Sequence, residues 1–327
     1  KNQVMTITVQ LGQYGNQVGP VILQQILKYG QILNTDIGQY FRYSDKLQKL
    51  IPRAVMIDME PKVVNQALQL QIPTYLQNQA VVRQSGAGNN WAHGYKIFGP
   101  QVIDEIMDSI RHEAEFVDKK LKILTLSSLA GGTGSGLSSF LLQELSHEYK
   151  SIMSNSILPF QRGEVNTQCY NSVLSLSQML EHSSEVNLIS NDQIKEIYLK
   201  SFPQQTQPTF AQLNKVIAHN LCLNLQNDIQ TLPLHKLINH RCTPSADLQT
   251  QRKIFSVLST TKQMILTGSS SDSQLDYKVT EKSSNLRYLS GKIEIFGVSE
   301  YDRGTSQFKD ELANLNKVCQ NQNIFKA

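Results

Sequence analysis

Apolar positions along the chain keep two rhythms in turn, one of strands and one of helices. Val4 to Leu11 is a near-continuous run rich in β-branched residues and closed by Gly12, the pattern of a strand buried on both faces. Val18, Val21, Ile22, Ile26 and Leu27 then recur at helical spacing up to Gly30, predicting a helix. Arg53 to Ile57 predicts a short second strand. Val102, Ile103, Ile106, Ile110, Ala114 and Val117 predict an amphipathic helix introduced by Gly99-Pro100. Leu121 to Leu126 reads as another strand, followed by a glycine-rich turn and a helix from about Leu137 to Tyr149. Ser156 to Phe160 is a weaker strand. Past Pro208, the series Phe210, Leu213, Val216, Ile217, Leu221, Leu225 predicts a long helix whose wide apolar stripe places it between two layers.

Strands alternating with helices at this spacing predict an α/β fold: a parallel, Rossmann-like sheet with helices on both faces. The character changes after Pro233. Ser and Thr become common around Gly268 to Ser273, and only short strands such as Ile254 to Leu258 and Lys292 to Val298 stand out. The expected division is a domain over residues 1–229 that ends in the long helix, and a second, smaller α+β domain over 230–327.

Composition narrows the function classes. Hydrophobic residues make up 40% of the 327 and charged ones 18%, as in globular proteins. The net charge of +4 is mild and carries no basic block interleaved with aromatics, so no nucleic-acid partner is expected. No apolar run approaches the ~20 residues that span a bilayer, and Lys1 to Gln10 lacks the stretch of a signal peptide, so no membrane partner is expected and the cytoplasm is the default. Cys169, Cys222, Cys242 and Cys319 stand far apart with no zinc spacing, and are read as free thiols. The Gln-rich stretch from Leu68 to Gln79 is read as a compositional bias or a solvated loop.

The segment Leu129-Ala130-Gly131-Gly132-Thr133-Gly134-Ser135-Gly136 carries the strongest chemical signal, because it lies between a strand and a helix. Glycines there let backbone amides approach a phosphate, and the following helix adds unpaired amides and the positive end of its dipole. The plain alternative is a tight turn that binds nothing. It is not a Walker A loop, since no Gly-Lys-Ser/Thr ends it. Nor is it a dinucleotide fingerprint, since Leu137 stands where the third glycine belongs. Three more loops close predicted strands: Gly12-Gln13-Tyr14-Gly15-Asn16-Gln17, Asp58-Met59-Glu60-Pro61, and Ser85-Gly86-Ala87-Gly88-Asn89-Asn90-Trp91. Asp58 and Glu60, two residues apart, fall on one side of an extended chain and suit a hydrated Mg²⁺; a helix N-cap before Pro61 explains them equally well. In open α/β sheets such loops gather at the carboxyl ends of the strands, where ligands bind.

These segments resemble the tubulin superfamily. Gly131 to Gly136 (GGTGSG) is similar to the tubulin phosphate loop, Gly12 to Gly19 (GQYGNQVG) to its first glycine segment with Tyr14 in place of a cysteine, and Gly86 to Ala92 (GAGNNWA) to a third loop. Thr8 to Gln13, Asp58 to Val63 and Gly88 to Tyr95 look most like the delta branch. The resemblance is strong over about residues 4 to 225. It implies a GTP/GDP and Mg²⁺ site in which Gly12, Gln13 and Tyr14 approach the β-phosphate and the base, with Gln13 also near the metal. Asp58 and Glu60 face the metal and γ-phosphate, and Ala87, Gly88 and Asn89 reach the γ-phosphate. Ser128, Gly131, Gly132, Thr133, Gly134, Ser135 and Gly136 hold the α- and β-phosphates. Tyr170 to Ser175 (YNSVLS) resembles the stretch after the tubulin ribose loop, which places Glu164 and Gln168 near the sugar. Asn191 and Asn214 read the guanine and Phe210 stacks on it. On spacing alone Phe210 is equally an ordinary core aromatic, and Asn191 a helix cap before Asp192.

The resemblance also implies what the chain assembles with: other tubulins or centriolar and microtubule proteins, in the cytoskeleton and at the centriole or basal body. Two roles stand open: a structural part in triplet-microtubule assembly, or a polymerising lattice GTPase. In tubulins a carboxylate in the loop after the central helix orients the attacking water in the neighbouring subunit. Here no Asp or Glu occurs between Asp228 and Asp247, and His235 is nearest to the expected position. The chain is therefore not expected to activate a partner's GTP in the usual way; hydrolysis at its own site is expected to be slow or to need a partner, and no catalytic residue is assigned. Two further C-terminal helices implied by the resemblance do not occur before Ala327, so the second domain is expected to be incomplete.

Overall fold

The computed structural model describes residues 4–33, 36–117, 119–163, 165–202, 204–226 and 237–239. Of the second domain expected over 230–327, only Leu237–Asn239 falls within them; the strands expected at Ile254 to Leu258 and Lys292 to Val298, and His235, lie outside. The chain runs β1 (Val4–Leu11), α1 (Gly12–Leu33), a hairpin of β2 (Phe41–Ser44) and β3 (Lys49–Pro52), β4 (Ala54–Asp58), α2 (Pro61–Leu68) and β5 (Ala80–Val82). It continues through α3 (Gly99–Ala114), β6 (Lys120–Ser128), α4 (Ser138–Glu148), β7 (Ile152–Leu158), α5 (Gln168–His182), β8 (Glu185–Ser190), α6 (Asn191–Ser201), α7 (Phe210–Gln226) and β9 (Leu237–Asn239).

The main sheet has the order β5-β4-β1-β6-β7-β8-β9, and every pair in it is parallel. The first strand therefore lies inside the sheet, with β4 on one side and β6 on the other. This reversal of strand order is the switch point at which doubly wound sheets open a crevice for ligands. Strands that must be covered on both faces read as continuous apolar runs, and β1 and β4 do. Two cores result. Ile7, Val9, Leu11, Val55, Ile57 and Ile123 pack with α3, α4 and α5, while Ala54, Met56, Leu126, Ile157 and Ile189 pack with α1, α2, α6 and α7.

Two expectations need correction, the bounds of one strand and the Gln-rich stretch. The weak strand expected at Ser156 to Phe160 runs from Ile152 to Leu158, because register with β6 rather than local composition sets its ends. Helix α1 begins at Gly12, so the first glycine segment opens it as expected. The Gln-rich stretch is a loop only in part: Gln79 is fully buried, receives the Leu76 amide at 2.8 Å, and donates to Pro52 O at 2.7 Å and Glu113 Oε1 at 3.1 Å. Glu113 is in turn held by Arg42, through Nε at 3.1 Å and Nη2 at 2.9 Å, which fastens the β2–β3 hairpin to α3. Among the described residues no helix is long and apolar enough to cross a membrane.

Candidate nucleotide site

The loops that follow β1, β4, β5 and β6 meet at the carboxyl ends of their strands. Gly12 takes φ +65°, which a side chain rarely adopts, and a Cβ placed on it would stand 3.2 Å from Gly134 N. The first glycine segment and the phosphate-loop candidate thus touch across the switch point. Asn16, buried on α1, donates from Nδ2 to Gly12 O and to Ile57 O, both at 2.9 Å, and so ties the ends of β1 and β4 together. Its Oδ1 is buried with no partner among the described residues.

Asp58 ends β4 in a buried position. Burial is the main cause that pushes its carboxyl up to about 6, aided by the Glu60 charge and opposed by amide bonds from Glu60 and Met59 and by the Thr133 hydroxyl. The Thr133 contact joins this carboxylate to the phosphate-loop candidate. Glu60 is exposed and sits at the N-cap of α2, but its side chain makes no capping bond, so the capping alternative covers its position and not its carboxylate. That carboxylate lies over Gly86 and edges an open cleft of about 590 Å³ with Lys62, Asn65, Gln84, Ser85 and Gly88. One buried and one exposed carboxylate beside a hydroxyl suit a hydrated divalent cation, whose charge would offset the desolvation of Asp58.

Gly86 (φ +33°), Gly88 (φ +58°) and Asn89 (φ +52°) curl the loop after β5. The Gly86 amide is spent on Met59 O and the Asn90 amide on Ala87 O, whereas the amides of Ala87, Gly88 and Asn89 have no partner among the described residues. Successive free amides in this conformation make an anion-binding concavity. The loop packs directly on the next one, since a Cβ on Gly132 would lie 2.6 Å from Ala87 Cβ and 2.9 Å from Asn90 N.

Beyond Ser128, whose hydroxyl accepts the Ala130 amide at 3.3 Å, Thr133–Leu137 forms a buried turn of π-helix leading into α4. A second π segment, His93–Phe98, leads into α3. Amides in the first turn of such a helix have no partner within it. Ser135 donates its hydroxyl to Gly131 O. Close backbone approach between the two π segments requires glycine at Gly94 and Gly136.

The residues expected at a base lie on α6 and α7, and one of them meets Phe160. The Phe210 ring is 59% exposed with its centroid 6.1 Å from that of Phe160, which removes the core-aromatic alternative. Asn214 donates to Gln17 Oε1 at 3.1 Å and Asn191 is buried at the start of α6. The cap of that helix is Ser190, whose hydroxyl accepts the Gln193 amide at 3.5 Å, so the capping alternative for Asn191 is wrong by one residue. Gln168 is buried and donates to Phe160 O at 2.7 Å, so its amide braces the loop after β7. Glu164 lies outside the described residues. Gln13 is exposed beside buried Gly12 and Tyr14 in the first turn of α1.

Residues 5–199 match the Tubulin/FtsZ family, GTPase domain. The chain belongs to that family. It is 35% identical over 260 residues to the human tubulin delta chain, covering 74% of this chain and 56% of that one. It is 36% identical over 233 residues to the mouse tubulin delta chain (66% and 51%), and 33% over 230 residues to the tubulin beta-1 chain of Colletotrichum graminicola (65% and 51%). The chain spans about half the length of these curated relatives. Membership in the tubulin/FtsZ family implies guanine-nucleotide binding, and the glycine cradle and the free amides fit a phosphate ligand.

Two residues of this tubulin-family site carry no signal that sequence reasoning used. Asn171, inside a stretch noted only for its likeness to other tubulins, is buried where the loops after β5 and β6 meet. Phe160 ends a weak strand, and its place in the chain says nothing of the partners that converge on it.

Proposed function

We propose that this chain is a GTP-binding tubulin subunit with a structural role in assembling centriole or basal-body triplet microtubules in the cytoplasm. Its partners are other tubulins and centriolar proteins. The single observation that carries the nucleotide reading is the contact of Gly12 with Gly134 across the switch point. Residues 1–229 form the nucleotide domain, and 230–327 contribute to an intermediate domain.

In this reading the first-turn amides of α1 and the segment Ser128, Gly131 to Gly136 orient the α- and β-phosphates, and the three amides of Ala87, Gly88 and Asn89 take the γ-phosphate. Asp58 and Glu60 would hold Mg²⁺, Glu60 through water; the ion would supply charge neutralisation between the phosphates. Asn191 and Asn214 each offer a donor and an acceptor to the guanine edge, Gln168 braces the sugar loop from behind, and Phe210 offers its open ring to the base. The absence of an acidic residue between Asp228 and Asp247 supports a chain that does not activate the GTP of a neighbouring subunit in the usual way, and separates this role from that of a lattice GTPase.

Extraction of the purified chain and chromatography of what it releases tests the reading. Guanine nucleotide is expected, with affinity lowered roughly tenfold in Asn214→Ala. Adenine nucleotide in its place, or no nucleotide and no binding of added GTP, would refute it.

A further inference from the structure

Asn171 stands one turn into α5 and is only 2% exposed, yet none of its described side-chain hydrogen bonds serves the sheet. Its Nδ2 donates to Asn89 O at 2.9 Å and to Ala130 O at 2.7 Å, and its Oδ1 accepts the Trp91 amide at 2.9 Å. The Thr167 hydroxyl donates to the same Asn89 O at 2.5 Å. One carboxamide and one hydroxyl on a single helix end thus clamp the loop after β5 against the loop after β6. The held residue is Asn89, at φ +52°, a conformation that Asn tolerates and that a chain without tethers leaves readily. Fixing the Asn89 carbonyl and the Trp91 amide fixes the direction of the peptides before them. Those peptides carry the three amides with no partner among the described residues, Ala87, Gly88 and Asn89.

We infer that Asn171, with Thr167 as a second arm, is the positioning residue for the terminal phosphate, so that α5 decides how strongly the site prefers a nucleoside triphosphate to a diphosphate. The inference rests on the nucleotide-site reading above and deepens it. The segments Gly12 to Tyr14 and Gly131 to Gly136 hold what GTP and GDP share. The amides at 87–89 meet only the group that GDP lacks, and they keep their aim through bonds from α5. Loosening the clamp leaves the diphosphate grip intact and costs the ordering of the loop on each GTP bound.

The test measures GTP and GDP affinities of the full chain by calorimetry in excess Mg²⁺, for wild type, Asn171→Ala, Thr167→Val and Thr167→Ser. Asn171→Ala is expected to weaken GTP about tenfold while GDP stays within about twofold. Thr167→Val should lose part of the preference, and Thr167→Ser, which keeps the hydroxyl, should restore it. If Asn171→Ala fails to fold, the Thr167 pair carries the same test. Equal losses for both nucleotides would reduce the clamp to ordinary packing and overturn the inference, as would an unchanged preference in folded variants. A wild-type chain that binds both nucleotides equally overturns the clamp and leaves the site. One that binds neither overturns the nucleotide reading and the clamp together.

Discussion

Two alanines placed five residues apart in the glycine segment should behave in opposite ways. A Cβ on Gly136 would run into the Trp91 carbonyl oxygen and stand 2.8 Å from Trp91 C and 2.9 Å from Tyr95 N. These last two contacts fall about 0.5–0.6 Å short of the 3.4 Å at which ordinary contact begins, and all the obstructing atoms are backbone. No rotamer change relieves that. The π segment at His93–Phe98 must move away from the one at Thr133–Leu137. Overpacking of this kind costs about 1–3 kcal/mol, and a backbone obstacle puts Gly136→Ala at the upper end. At Gly131 the nearest atom is Asn89 Oδ1 at 3.5 Å, and the backbone there does not require positive φ. Gly131→Ala should therefore be neutral, or stabilise by about 0.5 kcal/mol through the stiffer unfolded chain. Urea unfolding followed by tryptophan fluorescence reads both. Trp91 is the one tryptophan of the sequence, 5% exposed, bonded through Nε1 to Ser139 Oγ at 3.0 Å and stacked on Tyr95 at 4.4 Å. Equal unfolding midpoints for the two variants would refute the argument that backbone contact makes the difference.

Removing Arg42 leaves Glu113, with 1% of its side chain exposed, only the Gln79 amide for compensation among the described residues. Arg42→Met should cost about 3 kcal/mol in chemical denaturation, and the double variant Arg42→Met/Glu113→Leu should recover most of it; a double variant as unstable as the single one counts against the ion pair as the cause. Phe210→Ala removes an exposed ring, so its thermal midpoint should hold while GTP affinity drops about tenfold, the worth of one base–aromatic stack; a fall in midpoint with unchanged affinity would return Phe210 to a structural role. Burial pushes the Cys222 thiol up to about 12 from 9.0, so at pH 8 native-state alkylation followed by mass spectrometry should label half-buried Cys169 and spare Cys222. The same shift favours the protonated thiol in the folded state. Its contribution is complete below about pH 9 and is lost as pH climbs toward 12, and Cys222→Ala should flatten that decline in stability.

Segments whose sequence repeats their environment were legible, and those whose environment is supplied from elsewhere were not. β1, β4 and β6 are apolar because the sheet covers both their faces, and α3 and α7 show helical periodicity because one side of each meets a core. Helix α5 hides its pattern: it buries Asn171, Ser175 and Ser177 among its apolar residues, so no clean stripe appears. The hairpin strands are four residues each and carry Arg42, Tyr43, Ser44 and Lys49, which read as loop. Strand β8 opens on Glu185, whose charge is answered by Lys122 at 3.2 Å on a strand that is not its neighbour in sequence. At the site, the glycine motifs were visible because close approach leaves few other residues possible. The clamp by Asn171 was invisible because an asparagine in a helix advertises nothing about the loops above it.

The bond from Asn214 to Gln17 joins residues 197 positions apart, and it ties α7 to α1. The contact between Gly12 and Gly134 needs far less of the chain. On a ribosome, then, the two halves of the crevice come into being at different times. The glycine contact can form once β6 and its turn have emerged, the bonds from Asn171 wait for α5, and the Asn214 bond waits for α7. On the nucleotide reading proposed above, a nascent chain that ends after α5 would grip phosphates before it could read a base, and fidelity would arrive with α7.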